Sequence, residues 1–341
     1  MAKSDVSVKI DLIKPTSTAG FGCPLILQEK ASKEIAYTEC TSLDEVVNAG
    51  FALDSTVYKA ASLIFMQTHA PEKIAVQAIT GAVTDFLGDA KNLVKEWRQL
   101  ITVYDKTTGG SDAPTAAADI LPVIENCDGK MYFANLPSDD TTDLTVTGLK
   151  RSVLFYCTPT EDAPVPVAAL VGESAGQNAG SITYKNMILK GIQPQDLSDL
   201  EIKAIHDKGG ITFVTKAGDN VTSEGKVAGG EYIDIVDSED YIIQQLTWRT
   251  QKVLNSQPKV PYTDNGIALL EAVAVNVLQD AYNNGMIADS ADGGADYSVN
   301  YAKREATSDE DRVERRYVGG TFSFTLAGAI HEVEIKGEIT I

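Results

Sequence analysis

Two stretches of strict alternation, one near each end of the chain, constrain the fold more than anything between them. Near the start, Val6, Val8, Ile10 and Leu12 alternate with Ser7, Lys9 and Asp11. Near the end, Phe322, Phe324 and Leu326 alternate with Thr321, Ser323 and Thr325. Val333, Ile335, Ile339 and Ile341 then fall among Glu332, Glu334, Lys336, Glu338 and Thr340. A period of two sends successive side chains to opposite faces of a strand, so these segments are predicted to be half-buried β-strands. The apolar positions are even up to Ile330 and odd from Val333, so the phase slips within residues 328–332, where a turn or bulge absorbs it. A strand running to the last residue presents an unpaired edge, and such an edge calls for a partner.

With 341 residues the chain can bury a large core, and two domains are expected. A formal charge of −19 argues against nucleic acid or an anionic membrane as partner. The cysteines Cys23, Cys40, Cys127 and Cys157 are widely spaced and read as reduced, buried thiols rather than a disulfide framework or a zinc site. The first residues lack the apolar stretch of a signal peptide, and no apolar run reaches membrane-spanning length, so synthesis and folding in the cytoplasm are expected.

Between the ends, helical and extended patterns alternate. Residues 24–28, 36–41, 73–80, 130–136 and 151–159 read as strands, and 211–218 opens a hairpin. Ser42 and Ser198, each followed three residues later by glutamate, are capping-box signals for helices. Residues 56–68 and 115–126 read as helices, and Leu93, Val94, Trp97, Leu100 and Ile101 suggest another across 85–103. The tract 232–257 is predicted to start extended and turn helical after Ser238; Asp264 is predicted to cap the next helix, and 297–302 to form a strand. This order predicts an α/β fold, a three-layer α/β sandwich followed by an α+β region.

Catalytic signals are weak. Gly172-Glu173-Ser174-Ala175-Gly176 matches G-x-S-x-G, but a nucleophile elbow needs a strand before the serine and a helix after it. Here a second glycine soon follows, and a small-residue helix end or turn is the favoured reading, with a serine hydrolase using Ser174 as an alternative. His69 and His206 sit at predicted helix ends, suited to dipole contacts, and His331 falls in the phase slip; none has metal-ligand spacing to another. Residues 218–226 lack phosphate-loop spacing, and 289–296 lacks calcium-loop spacing. No cofactor or metal is expected. The mixed-charge tract 303–316 is locally neutral in an acidic chain. It reads either as a solvated face or, given the terminal strands, as exchangeable ion pairs between subunits: Arg312, Arg315 and Arg316 with Asp309, Asp311 and Glu314.

Taken together, VSVKIDLIKPTSTAGFGCPLIL, VYKAASLIFMQTHAPEKIAV, GSITYKNMILKGIQPQDLSDLE, KVPYTDNGIALLEAVAVNVLQDAYNNGMIA and DEDRVERRYVGGTFSFTLAGAIHEVEIKGEI give the chain its family look. In their order and spacing it resembles the contractile tail sheath proteins of phages and phage-tail-like particles, in their compact form. The resemblance implies an N-terminal strand arm and connector (1–19), an α/β sheath domain (20–228) and a C-terminal sheath domain (229–341) ending in a strand arm from about residue 328. It implies no enzymatic activity. It also implies hexameric rings stacked around a tail tube, with baseplate and tail terminator as further partners and with neither nucleic acid nor membrane insertion. Arms carrying Val6, Val8, Ile10 and Leu12, and Val333, Ile335, Ile339 and Ile341, would add strands to neighbouring subunits. A non-contracting sheath or baseplate protein is the alternative within the same class, and the location implied is the tail of a virion or of an extracellular particle.

Overall fold

The structure is a computed structural model that describes residues 23–105, 113–140, 142–331 and 333–336. The first alternating segment and the last residues, among them Ile339 and Ile341, lie outside these. From the N-terminal side the chain forms β1 (Leu25–Gln28), β2 (Ile35–Cys40), α1 (Leu43–Asn48), α2 (Thr56–Phe65), β3 (Ile74–Ala78), α3 (Val83–Gly88), α4 (Ala90–Leu93) and β4 (Gln99–Val103). It continues with α5 (Ala117–Ile124), β5 (Met131–Leu136), β6 (Ser152–Tyr156), α6 (Val167–Ala175), α7 (Asp199–Asp207), β7 (Gly210–Lys216) and β8 (Asp219–Thr222).

These strands make one sheet in the order β2-β3-β1-β4-β5-β6-β7-β8. The run from β3 to β7 is parallel, and β2 and β8 close the two edges antiparallel. Parallel strands are covered on both faces, which is why LILQ and SVLFY are almost unbroken apolar runs. Ile26, Val76, Ile101, Phe133 and Phe155 point to one face and meet Ala60, Ile64 and Leu170 of α2 and α6. Leu25, Leu27, Leu100, Tyr132 and Leu154 point to the other and meet Phe86, Ile120 and Ile205 of α3, α5 and α7. The expected three layers are present.

Capping chemistry sets the helix starts. At Ser198 both halves of the box form: Glu201 N–H donates to Ser198 Oγ at 3.4 Å and Ser198 N–H to Glu201 Oε2 at 2.8 Å. At Ser42 only the serine half forms, because Glu45 reaches past it to Thr41 N–H at 2.6 Å. The helix expected across 85–103 is replaced by two short helices and strand β4. Its helical spacing was coincidental: Leu100 and Ile101 face opposite layers as a strand requires, and Val94 is exposed.

The C-terminal part comprises α8 (Ile233–Ser256), α9 (Asp264–Asn283), β9 (Tyr297–Tyr301), a 3-10 turn (Arg304–Ala306), α10 (Asp309–Val313) and β10 (Gly320–Phe324). Helix α8 starts at Ile233, not after Ser238, because Ile233 and Val236, one turn apart, are both buried against the α/β core. Thr263, rather than Asp264, caps α9, accepting from Gly266 N–H at 3.4 Å. A separate apolar cluster joins Ile242 of α8, Val273, Val277, Leu278 and Ala281 of α9, and Val299 and Phe324 of the β9–β10 pair. Helix α8 therefore belongs to both bodies: its first turns pack on the sheet and the rest carries the C-terminal unit.

Candidate assembly interfaces

Strands β9 and β10 form a two-stranded antiparallel ribbon in the register Tyr301↔Gly320 to Tyr297↔Phe324. Tyr297, Val299 and Phe324 turn toward α8 and α9. Ser298 and Ser323 face away and share a 2.8 Å hydrogen bond. Among the described residues each strand of this ribbon is paired along one side only. Its unpaired N–H and C=O groups form a template for further strands.

What fixes this ribbon relative to the sheet is a buried ionic seam that sequence reasoning missed. Arg98, just before β4, is 1% exposed. Its guanidinium donates to Asp237, to Asp240 Oδ2 at 2.7 Å and to the Gly129 carbonyl at 3.1 Å. Arg151, just before β6, grips both oxygens of Asp240 at 2.8 and 3.0 Å. Tyr184 donates its hydroxyl to Asp237 at 3.0 Å. Asp237 and Asp240 lie three residues apart on α8, one helical turn, so one face of the helix presents both carboxylates to the strand ends. Burial alone would raise the Asp240 carboxyl, but hydrogen bonds from Arg151 and the charge of Arg98 outweigh it and hold it below the usual range. Beside the seam, Lys130 donates to the carbonyls of Trp97 at 2.5 Å and Lys95 at 2.9 Å and lies over the Trp97 ring. Burial, reinforced by the nearby Arg98 charge, pushes its ammonium down to about 8.

The residues singled out in the sequence fall in several places. Val333 and Ile335 are 75% and 88% exposed and in no strand of this single chain. Val6, Val8, Ile10, Leu12, Ile339 and Ile341 lie outside the described residues. The charge tract forms α10 and its flanks, where Arg312 pairs with Asp309 and Arg316 pairs with Asp311 at 2.8 Å and with Glu314 at 3.6 Å. Arg315 follows in the left-handed region, at φ 57°.

The G-x-S-x-G match is not an elbow. It ends α6, Ser174 is buried, and its Oγ donates to the Leu170 carbonyl at 2.9 Å. The glycines serve packing instead: a Cβ on Gly172 would lie 2.6 Å from Ile64 Cα, and one on Gly176 2.1 Å from the His69 carbonyl oxygen. The favoured reading as a small-residue helix end holds.

The histidines make local contacts. His69 Nδ1 lies 2.5 Å from Glu173 Oε1, His206 shares a 2.9 Å hydrogen bond with Ser223, and His331 docks between Thr183 and Tyr232. His206 thus turns to a side chain rather than to the carbonyls at its helix end. Among the described residues no acidic, histidine or cysteine cluster could hold a metal ion, and no helix is long and apolar enough to cross a membrane.

The chain thus joins an α/β sandwich, through a shared helix, to a helical pair and a ribbon whose outer edges are unpaired among the described residues. Residues 233–339 match the family described as E217 tail sheath protein gp31-like, C-terminal domain. Over its whole length the chain has the fold of contractile sheath subunits. It superposes on a chain of the anti-feeding prophage (AFP) helical sheath in its contracted state with a TM-score of 0.70 at 14% identity, covering 99% of both chains. A chain of the PVC sheath complex of an extracellular contractile injection system, also contracted, gives 0.71 at 12% identity, covering 99% of this chain and 98% of that one. A chain of the six-fold symmetrised AFP baseplate gives 0.70 at 15% identity and full coverage of both. No curated protein matches in sequence.

Proposed function

We propose that this protein is the structural subunit of a contractile tail sheath, with no enzymatic role. Subunits would polymerise as stacked hexameric rings around a tail tube and shorten the stack to drive the tube through a cell envelope. The observation that carries this is the full-length fold shared with two contracted sheaths, together with a ribbon whose edges are unpaired in the single chain. On this reading residues 1–19 are an arm and connector, 20–228 and 229–341 are the two sheath domains, and the particle is a virion tail or an extracellular tail-like device.

The arms are proposed to pair with the sheets of neighbouring subunits. Val6, Val8, Ile10 and Leu12 would supply one strand, and Val333, Ile335, Ile339 and Ile341 another. Lys3, Lys9 and Lys14 at the N-terminal end complement Glu332, Glu334 and Glu338 at the C-terminal end. A head-to-tail contact that does not close on itself propagates as a stack. The pairs formed by Asp309, Asp311, Arg312, Glu314 and Arg316, with Arg315 beside them, are proposed to exchange between subunits. They lie at the surface, where such pairs contribute about 0–1 kcal/mol each and exchange at little cost. The tail tube, baseplate and tail terminator are proposed as further partners. Helix α8 or α9 is proposed to face the tube, since the distal half of α8 leaves Trp248 and Leu254 exposed.

Negative-stain microscopy of the purified protein tests the proposal: striated cylinders are expected. Because one structural neighbour comes from a baseplate assembly, isolated rings without stacking would favour a baseplate role instead. Deleting residues 1–14 should leave a folded subunit that no longer polymerises, and normal cylinders from that truncation would refute the arm mechanism.

A further inference from the structure

The last residues described cross from one body of the subunit to the other and are pinned at one point. After β10 the chain still belongs to the C-terminal body: Leu326 bridges Ile287, and Ala327 N–H donates to the Met286 carbonyl at 2.9 Å. Gly328 turns the chain at φ 55°, a left-handed conformation suited to glycine. Ile330 is 85% exposed, and beneath this crossing lies a cavity of about 110 Å³ lined by Thr183, Asp234, Ser238 and Met286. His331 then lands on the α/β body with its side chain only 10% exposed. Its Nε2 shares a 2.7 Å hydrogen bond with Thr183 Oγ1, and its ring meets Tyr232 edge-on with centroids 4.9 Å apart. Its Nδ1 lies 3.7 Å from Glu224 Oε1. Beyond it Val333 is exposed.

Three separate segments build this socket. Thr183 comes from the irregular stretch after α6, Glu224 from the residues after β8, and Tyr232 is the residue immediately before α8. Lys226 closes the far side, lying over the Tyr232 ring at 4.9 Å and 3.8 Å from Glu224. A polar side chain enclosed by three segments, in a tail where Ile330 and Val333 are exposed, is an anchor rather than a piece of core.

We propose that His331 is the root clamp of the C-terminal arm: a positioning residue that fixes where the arm leaves the subunit and passes tension on the arm into the α/β body. The role as an arm rests on the sheath reading; the clamp itself does not. Without it, a pull on the arm would act on the short run of contacts at Leu326 and Ala327 and peel β10 from the ribbon that neighbouring strands would join. With it, the load reaches Thr183 and Glu224 on the larger body and Tyr232 at the foot of α8, where that helix packs on the sheet.

The test uses the unassembled full-length subunit. Because Cys23, Cys40, Cys127 and Cys157 are buried, exposed cysteines introduced by Val333→Cys and Lys203→Cys can be spin-labelled selectively. The parent should give a single narrow distance distribution. Thr183→Val and His331→Leu should each at least double its width and speed amide exchange at Ala327 about tenfold, while the melting temperature stays that of the parent. His331→Gln, which keeps a hydrogen-bonding atom near the Nε2 position, should restore the narrow distribution. An unchanged distribution in both Thr183→Val and His331→Leu would overturn the clamp. So would broadening accompanied by an equal loss of thermal stability, which marks a merely structural residue. A subunit that shows the clamp behaviour yet never forms cylinders would sink the sheath reading and leave the clamp standing.

Discussion

The ionic seam makes the sharpest prediction, through Arg98→Met. Arg98 is fully enclosed and holds two carboxylates, while Arg151 holds only one of them. Methionine of similar length fills the space but leaves Asp237 with the Tyr184 hydroxyl as its remaining hydrogen-bond partner in this network. Breaking a buried pair from one side costs about 3–5 kcal/mol, because the cost is the stranded charge rather than the lost attraction. Asp240 keeps its two bonds from Arg151, so the lower half of that range, about 3 kcal/mol, is expected. Denaturation of the unassembled subunit measures it: Trp97 adjoins Arg98 and reports the sheet, while Trp248 on α8 reports the C-terminal body. Arg98→Met should lower the stability of the sheet and let the Trp248 signal change first. Adding Asp237→Asn, which removes the stranded charge, should recover about 2 kcal/mol in a double-mutant cycle. A loss under about 1 kcal/mol for Arg98→Met, or a coupling near zero, would refute the assignment of the seam as the joint between the bodies.

Three further outcomes follow from local chemistry. The Lys130 ammonium is depressed to about 8 in the fold, so from about pH 8 to its unfolded value near 10.5 the unfolded chain binds more protons and stability rises with pH. Set against Lys130→Met, which cancels the tyrosine and cysteine titrations common to both proteins, the wild type should gain about 2–3 kcal/mol between pH 7.5 and 10.5 by urea denaturation; a flat difference would contradict it. Asp240 has the opposite sign: its stabilisation is present above the ordinary carboxylate range and is lost as pH falls through its depressed folded value, so Asp240→Asn should flatten the acid limb of the stability profile. Gly172→Leu should cost more than about 3 kcal/mol or prevent folding, because backbone of α2 stands where its Cβ would go, whereas Ser174→Ala should cost about 1 kcal/mol or less; circular dichroism melts read both.

Much of the α/β sandwich was legible because strands covered on both faces must be nearly all apolar, and LILQ, IAVQA and SVLFY leave little else to be. Strand β4 was not legible, since Trp97, Leu100 and Ile101 match helical spacing as well as a buried strand, and only the neighbouring β1 and β5 decide between them. The start of α8 failed for a related reason: Ile233 and Ile235 suggest alternation, while the partners that make Ile233 and Val236 a helix face lie on the distant sheet. The seam left no local trace at all. Arg98 finds Asp237 and Asp240 across 139 and 142 residues, and nothing in a sequence window marks such a pair. For the terminal segments the reverse holds. Alternation around Val333 and Ile335 predicts a partner, and among the described residues nothing covers either side chain.

The contrast between seam and surface bears on how a sheath of such subunits would shorten. Rotating the C-terminal body against the sheet would break three buried ion pairs and expose Arg98, a cost of several kcal/mol in every subunit. The pairs around α10 are exposed and each contributes at most about 1 kcal/mol, so trading them for equivalent pairs on a neighbour is nearly free. A large rearrangement follows the softest available coordinate, which here lies between subunits and not within them. The subunit would then move as one block, its ribbon carried rigidly by α8. Every change in ring-to-ring distance would have to be absorbed where the chain leaves the block, beyond the contacts of His331 with Thr183 and Tyr232. On this account His331, inside the break in alternation, is the last contact with the fixed body among the described residues, and the exposed Val333 and Ile335 lie where a neighbouring subunit would pair.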